Sequence, residues 1–360
     1  MQNQRIRKGN FNVAFTGTNP VVTNQAMEFF QDAEGFVAIR DVPVITVPAV
    51  SGKLALISQE YLNRDEVKKR SSSMTEAEKG TIGVSTVDYS TDERALEYII
   101  SASDAARLGY EFGYDVPAAI PKALAHKGNI HTEGMFSALW NSASWYRTVT
   151  GNAATGAEGT TAMNRLFFSD QSKNPIDALL AEKRIFLLRN GVMPTNLRLG
   201  YQLFEVLASH SLVRAQVAVT VGGQTQSTLF TPRATEDQLG ALLGMKVSVS
   251  WGVKNTSSLD GTPTNAFIVD PADALMTYDG GGTYTATSTN GGPPSVALGS
   301  PTGFARVVWD GLVPNGFQVR GPIDREIIGA GGSKSWILDM FQGFVIVDNK
   351  MGTFFDNMLL

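Results

Sequence analysis

Residues 174–191, NPIDALLAEKRIFLLRNG, constrain the fold most, because they predict one long helix with a defined start and a defined end. Asn174 is a preferred N-cap residue, and Pro175 fits the first helical position, where its missing N–H has no helical partner to lose. Gly191 suits the left-handed position that closes a helix, and Pro194 prevents any continuation. The chain must therefore provide a surface against which a helix of about 24 Å can pack.

The apolar residues of this helix point in two directions. Ile185 and Leu188 lie on one side, between Arg184 and Arg189. The other side carries a broad apolar stripe at about 100° per residue, which we expect to be buried, formed by Ile176, Leu179, Leu180, Phe186 and Leu187. Two interpretations remain open. The helix is either a core helix that a second layer of its own domain partly covers, or a helix that also contacts a neighbouring subunit.

The composition excludes several classes of protein. With 43% hydrophobic and 18% charged residues, a chain of 360 residues can bury a sizeable core and is not disordered. The net charge of −4 provides no general attraction to nucleic acid, which depends on Lys and Arg that neutralise phosphates. The lack of cysteine excludes disulfides, and no stretch approaches the roughly 20 apolar residues of a membrane span. We expect a soluble subunit with no membrane partner.

Few residues are candidates for chemistry. The three histidines are His126, His131 and His210. The first two are five residues apart, so they do not share a helical face as ligands at i and i+4 would, and Glu133 does not complete a metal site. Neither a G-x-S-x-G elbow nor a P-loop is present. We predict no enzyme activity, no metal and no cofactor, with a hydrolase of unrecognised site as a distant alternative.

The first hundred residues are predicted to be mostly extended. Residues 1–50 lack helical periodicity and contain repeated X-Pro pairs, so they form either an arm on other surfaces or an ordinary tail. Residues 50–57 and 81–89 predict a strand hairpin. The polar residues between them, 58–80, form either a projecting arm or a mobile loop, because connections of that length are uncommon inside compact domains.

The rest of the chain mixes helices and strands. Residues 135–140 have helical spacing, residues 201–210 predict a helix, and Thr235 with Gln238 predicts a capping box for a helix that ends at Gly244. Polar and apolar residues alternate along 245–251, which is typical of a half-buried strand, and the composition of 279–300 predicts an exposed loop. Further strands are expected at 304–309, 323–328, 335–340 and 343–347.

In this order, the elements resemble the major capsid proteins of tailed bacteriophages, which have the Hong Kong 97 fold. The resemblance covers nearly the whole chain and includes the entry Gly-x-x-Pro-x-x-Leu-x-x-Gly at residues 191–200. The segments that carry it are SGKLALIS at 51–58, VDYSTDERALEYIIS at 87–101, NPIDALLAEKRIFLLRNGVMPTNLRLGYQLFEVLASH at 174–210 and EDQLGALLGMKVSVSWGVKNTS at 236–257.

The resemblance implies an α+β fold with four parts. It makes residues 1–42 an N-terminal arm and residues 43–101 an extended β-hairpin, the E-loop. The P domain would comprise residues 102–195, with 175–190 as its long spine helix, together with the returning strands of 301–360. The inserted α/β A domain would be residues 196–300.

The resemblance also implies a structural function. Many copies would assemble, as pentamers and hexamers, into the icosahedral shell of a virion, inside the bacterial host cytoplasm. The partners would be other copies, scaffolding, portal and decoration proteins, with scaffolding supplied as a separate protein, and the enclosed double-stranded DNA would not be bound sequence-specifically. An encapsulin-like compartment is the alternative. Candidate contacts between subunits are Arg5, Arg7, Lys8, Lys68, Lys69, Arg70, Arg184 and Arg189.

Overall fold

The computed structural model describes most of the chain. The described residues are 33–57, 65, 83–112, 116–150, 154–155, 168–220, 233–258, 261–280, 284–287, 295–296, 302–309, 311, 313, 316–325 and 332–359. Within this part, no helix is both long and apolar enough to cross a membrane.

Seven α-helices are present in the described residues, with short 3-10 turns at Ala33–Gly35 and Asn349–Met351. The helices are α1 Val37–Arg40, α2 Ala102–Phe112, α3 Val116–Ser137, α4 Pro175–Asn190, α5 Tyr201–Ser209, α6 Ser211–Thr220 and α7 Glu236–Leu243.

The strands of the described chain fall into two large sheets and two small ones. They are β1 Val44–Val47, β2 Ser51–Ile57, β3 Val84–Ser90, β4 Asp92–Ser101, β5 Arg147–Thr150, β6 Ala154–Thr155, β7 Asn196–Gly200, β8 Lys246–Ser250, β9 Val253–Asn255, β10 Asn265–Phe267, β11 Ala274–Thr277, β12 Tyr284–Thr287, β13 Ser295–Val296, β14 Phe304–Trp309, β15 Phe317–Arg325, β16 Ser333–Ile346 and β17 Gly352–Asp356.

The first large sheet is built around the long strand β16. Its order is β13-β12-β1-β14-β16-β15, and β4 pairs antiparallel with β16 along its whole length. Helix α3 packs on one face, where Leu124 meets Trp336, Leu338 and Met340 in a buried cluster. Strands β2 and β3 form a separate two-stranded antiparallel sheet, which we call the ribbon. Leu54 of the ribbon packs on the face of the first sheet opposite α3.

The second large sheet has the order β6-β5-β17-β11-β7-β8. Helices α4, α5, α6 and α7 pack against it, and the largest hydrophobic core of the described chain lies between these two layers. This core contains Ile176 and Leu179 from α4 and Leu197, Val247 and Phe355 from the strands. The chain is therefore an α+β structure with two sheets, each covered by its own helices.

Helix α4 forms as its sequence predicts. The Asn174 side chain accepts a hydrogen bond from the Ile176 N–H, and Gly191 closes the helix at φ 69° in the left-handed region. Phe186 is fully buried, whereas Leu188 is 85% exposed. The capping box of α7 is also confirmed, because Thr235 and Gln238 each bond the other's backbone N–H.

Helix α4 packs on the sheet that holds only one of the described returning strands. The resemblance suggested that residues 175–190 share a domain with the strands of 301–360; the sheet under α4 contains β17 but not β14, β15 or β16. Helix α3 packs on the returning strands instead. Strand β17 follows β16 in the chain but pairs with β11 in the second sheet. Helix caps fix where a helix starts and ends, but they carry no information about which sheet it covers.

Several local predictions are wrong for reasons of tertiary packing. Residues 335–340 and 343–347 belong to one region of strand, β16, which ends at Ile346 and pairs with β4, β14 and β15. Helix α3 ends at Ser137, short of the predicted 140. Residues 1–50 contain the short helix α1, and the predicted loop 279–300 contains β12, which pairs with β1.

Strand β8 also departs from its pattern. Alternation of polar and apolar residues predicted that one face meets solvent, yet Ser248 and Ser250 are buried. Their face is covered by α1 and α3, because the Ser250 hydroxyl donates to the Glu133 carboxylate and the Trp251 N–H bonds to the Gly35 carbonyl. Serine is small enough to be buried when a hydrogen-bond partner is present.

Candidate assembly surfaces

The buried polar groups among the described residues join elements of the subunit to one another. In the described residues, no three His, Asp or Glu side chains are placed to hold a metal ion. Burial lowers the pKa of His126, whose ring packs edge-on against Phe36. Burial, then the charge of Arg94, lowers the pKa of His131. His210 is buried and bonds the Asp170 carbonyl through Nε2 at 3.1 Å.

Glu133 is a buried carboxyl group that ties three elements together. It lies on α3, accepts a hydrogen bond from the Ala38 N–H of α1 at 2.8 Å and a second from the Ser250 hydroxyl of β8 at 2.7 Å. Burial raises the pKa of Glu133, and these hydrogen bonds oppose the shift. Because both oxygens are used in these contacts, its arrangement fits a structural role.

A buried arginine links the two large sheets. Arg198 of β7 is fully buried and donates to the Asp279 carboxylate at 2.5 Å, the Thr277 hydroxyl at 2.7 Å and the Asp41 carbonyl at 2.8 Å. Asp41 follows α1 and leads into β1 of the first sheet, and its carboxylate pairs with Lys246 of β8. Hydrogen bonds from Lys246, Ser248 and Arg40 outweigh burial and lower the pKa of Asp41. The network holds α1 between the sheets.

A second buried pair fixes α4 on its sheet. Arg147 of β5 donates from Nε to Oε2 of Glu182 at 2.7 Å and from Nη2 to Oε1 at 2.8 Å. The two side chains are 4% and 0% exposed. Bidentate contacts of this kind are strong and directional, so α4 has a defined orientation as well as a defined depth.

The predicted contact residues are only partly described. Arg5, Arg7, Lys8, Lys68, Lys69 and Arg70 lie outside the described residues. Arg184 is exposed on α4. Arg189 points back into its own subunit, where it donates to the Gly352 carbonyl at 3.1 Å and lies 5.7 Å from the Tyr146 ring centre. The structure does not bring Arg184 and Arg189 into one cluster, and the role of each between subunits stays a prediction.

An exposed apolar patch at the end of α4 is a further candidate surface. We call Leu188 and Met193 the α4 patch; they are 85% and 48% exposed. The sequence signalled Leu188, since it falls opposite the buried stripe, but gave no signal for Met193. Both residues lie at the C-terminal end of α4 or just after it, and contiguous exposed apolar groups are typical of interaction surfaces.

The edge strand β4 is another exposed surface, and the sequence did not indicate it. Ile99 of β4 is 52% exposed and Leu96 is 37% exposed. In the described part of the chain, β4 pairs with β16 alone, so one of its backbone edges has no strand beside it. Such an edge can add a strand from another chain. Only the pairing of β4, which sequence periodicity does not specify, identifies it as an edge.

In the part of the chain that the structure describes, the ribbon is a sheet of two strands only. Its base is anchored by Leu54 and Tyr89, which pack against the first sheet. Lys53 and Asp88 pair across the two strands at 3.5 Å, and both side chains are largely exposed. An isolated two-stranded ribbon is marginally stable in water, so contact with another surface would stabilise it.

No family model matches this chain, and no curated protein matches it. A phage-related protein from Bordetella bronchiseptica RB50 matches it in structure, with a TM-score of 0.60 and 14% identity over 91% of this chain and 94% of that one. The capsid protein of cyanophage P-SCSP1u matches with a TM-score of 0.53 and 10% identity over 92% and 90%. The SrpI encapsulin of Synechococcus elongatus PCC 7942 matches with a TM-score of 0.45 and 12% identity over 92% and 91%. The chain therefore has the α+β fold found in bacteriophage capsid proteins.

Proposed function

We propose that this chain is the major capsid protein of a tailed double-stranded DNA bacteriophage, and that many copies form an icosahedral shell. The observation that carries the proposal is the match to a cyanophage capsid protein, which extends over 92% of this chain and so includes both large sheets. Its function then resides in contacts between copies, it is not an enzyme, and its location is the virion.

We assign the parts of the subunit by their packing. The ribbon, β2 with β3, is the E-loop, and the first sheet with α3 is the P domain. The second sheet with α4 to α7 is the A domain. In this assignment α3 is the spine helix, because it packs along the long strand β16. The N-terminal arm, residues 1–42, stays a prediction, because residues 1–32 lie outside the described part of the chain.

Three surfaces support assembly of this subunit. The ribbon has two strands and needs a covering surface, β4 has an open edge, and the α4 patch exposes Leu188. Scaffolding, portal and decoration proteins are the further partners that the proposal implies. Double-stranded DNA would be enclosed without sequence-specific contacts, which agrees with the net charge of −4.

Electron microscopy of the purified protein tests the proposal. We expect closed shells of uniform diameter, which dissociate to a folded subunit in mild denaturant. A protein that stays monomeric at high concentration, with and without co-expressed scaffolding protein, would contradict it. Shells that hold nuclease-protected double-stranded DNA in infected cells support a virion, whereas shells that hold a cargo protein favour an encapsulin-like compartment.

The ribbon has its own test. Replacement of residues 59–79 by a short turn leaves β2 and β3 and their anchoring residues in place, so the subunit should remain soluble and melt cooperatively. Shells should fail to form or to persist, because the piece that overlaps a neighbour is gone. If the shortened protein forms shells as stable as those of the parent, residues 59–79 have no role in assembly.

A further inference from the structure

The residues that follow β17 are held against the turn before β11 by backbone hydrogen bonds. The Asn357 N–H donates to Oδ1 of Asp273 at 2.8 Å, and the Met358 N–H donates to the Ala272 carbonyl at 3.1 Å. The Met358 carbonyl accepts from the Phe168 N–H at 2.9 Å. We call residues 357–359 the latch segment.

The latch segment is bound firmly enough to be part of the core. Met358 is 1% exposed and belongs to the cluster that contains Phe168 and Phe355. Asn357 has φ 47°, a left-handed conformation that is uncommon for residues other than glycine. Asparagine adopts this conformation more readily than most other residues, and the contact made by the Asn357 N–H is the one to Asp273.

Asp273 is in an unusual position for an acid. It is 6% exposed, and the charged groups that act on it are two further carboxylates, Asp270 in its own turn and Asp356 at the end of β17. On its other side, the Gly200 N–H donates to the Asp273 carbonyl. Burial raises the pKa of Asp273 to about 7, Asp270 and Asp356 act in the same direction, and the Asn357 N–H opposes them.

We propose that Asp273 makes the latch segment a pH-dependent clasp, closed while this carboxyl group is protonated and opened more often once it is ionised. Release of residues 357–359 brings water to Asp273, whereas Asp356 stays in β17, paired with β5. Solvation favours the ionised acid, so ionisation and opening assist each other by linkage.

The sign and the pH window follow from the two states. In the open state the acid is solvated and has a pKa near its ordinary value of 3.8, whereas in the closed state the pKa is about 7. Between these values the closed state binds more protons, so the opening constant rises with pH by up to about tenfold per unit. Above about pH 8 both states are ionised, and the opening constant becomes independent of pH.

Hydrogen exchange on the full chain measures the opening. We would follow peptides that cover residues 352–359 from about pH 5 to about pH 9 and convert rates to protection factors, which removes the intrinsic pH dependence of exchange. Protection should fall by up to about 100-fold between pH 5 and pH 8 and then stay level. Constant protection across the whole range would overturn the proposal.

Two variants separate the clasp from general effects of pH. In Asp273→Asn the amide oxygen can still accept from the Asn357 N–H, but the side chain cannot ionise, so protection should be high and level. In Asp270→Asn one neighbouring charge is lost, so the midpoint should move to lower pH. The exposed Asp237→Asn is the control and should behave like the parent. An unchanged pH profile in Asp273→Asn, or an unmoved midpoint in Asp270→Asn, would contradict the role of Asp273.

Discussion

The pair between Arg147 and Glu182 allows a quantitative test of how α4 is held. Replacement of the arginine, Arg147→Met, leaves a carboxylate with 0% side-chain exposure and removes two hydrogen bonds of 2.7 and 2.8 Å. Removal of one partner from a buried pair costs about 3 to 5 kcal/mol, because the remaining charge has lost both water and partner. That is a large share of a total stability of about 5 to 15 kcal/mol.

The assay is denaturant unfolding of the dissociated subunit, with a matched control on the ribbon. Lys53→Met removes one partner of the pair with Asp88, whose side chains are 68% and 79% exposed, and should cost at most about 1 kcal/mol. The double variant Arg147→Met with Glu182→Met should recover part of the loss, because no charge remains buried. If Arg147→Met costs no more than Lys53→Met, the buried pair does not hold α4 and our account of its orientation is wrong.

Two further predictions concern a surface and a close backbone contact. If the proposed assembly uses the α4 patch, Leu188→Ser should leave the free energy of unfolding of the subunit unchanged within about 0.5 kcal/mol. It should weaken association between subunits, because burial of one leucine contributes about 1.5 to 3 kcal/mol. Equal shell yields of the variant and the parent at limiting concentration would refute this use of the patch. Gly352→Ala should lower the free energy of unfolding in denaturant by about 1 to 3 kcal/mol, because its Cβ would lie 2.1 Å from the Trp145 ring. The control is Gly134→Ala, whose Cβ would have nothing within 4 Å and which should be neutral or stabilising. Equal effects of the two variants would refute the clash.

The sequence predicts well those features whose interactions are local. Helices α4 and α7 both begin and end where the sequence places them, because Asn174, Gly191 and the Thr235 box act within a few residues of the helix termini. Strand β14 is confirmed at residues 304–309 for the same kind of reason, since its residues are dense in β-branched and aromatic side chains. In each case the information needed lies inside the element.

The buried polar network could not be predicted in this way. Arg198 lies in a strand of alternating residues, where a charged side chain is expected to face solvent, yet it is fully buried. Its partners Asp41 and Asp279 are 157 and 81 residues away in the chain. Glu133 likewise depends on Ala38 and Ser250, which are 95 and 117 residues away. Only the fold identifies these pairings.

Helix α3 shows why local signals can mislead about which helix is central to a sheet. It has 22 residues but contains Pro121, Gly128 and Gly134, which lower its intrinsic helix propensity. Gly128 is explained by packing, because a Cβ atom there would lie 2.4 Å from the Phe317 ring and 3.3 Å from Leu338. The glycine lets the helix approach β15 and β16 closely. Gly128 therefore weakens α3 as an isolated helix and also allows it to cover the long sheet. Because helix prediction from sequence depends on propensity and caps, the strongly capped α4 has the clearer signal.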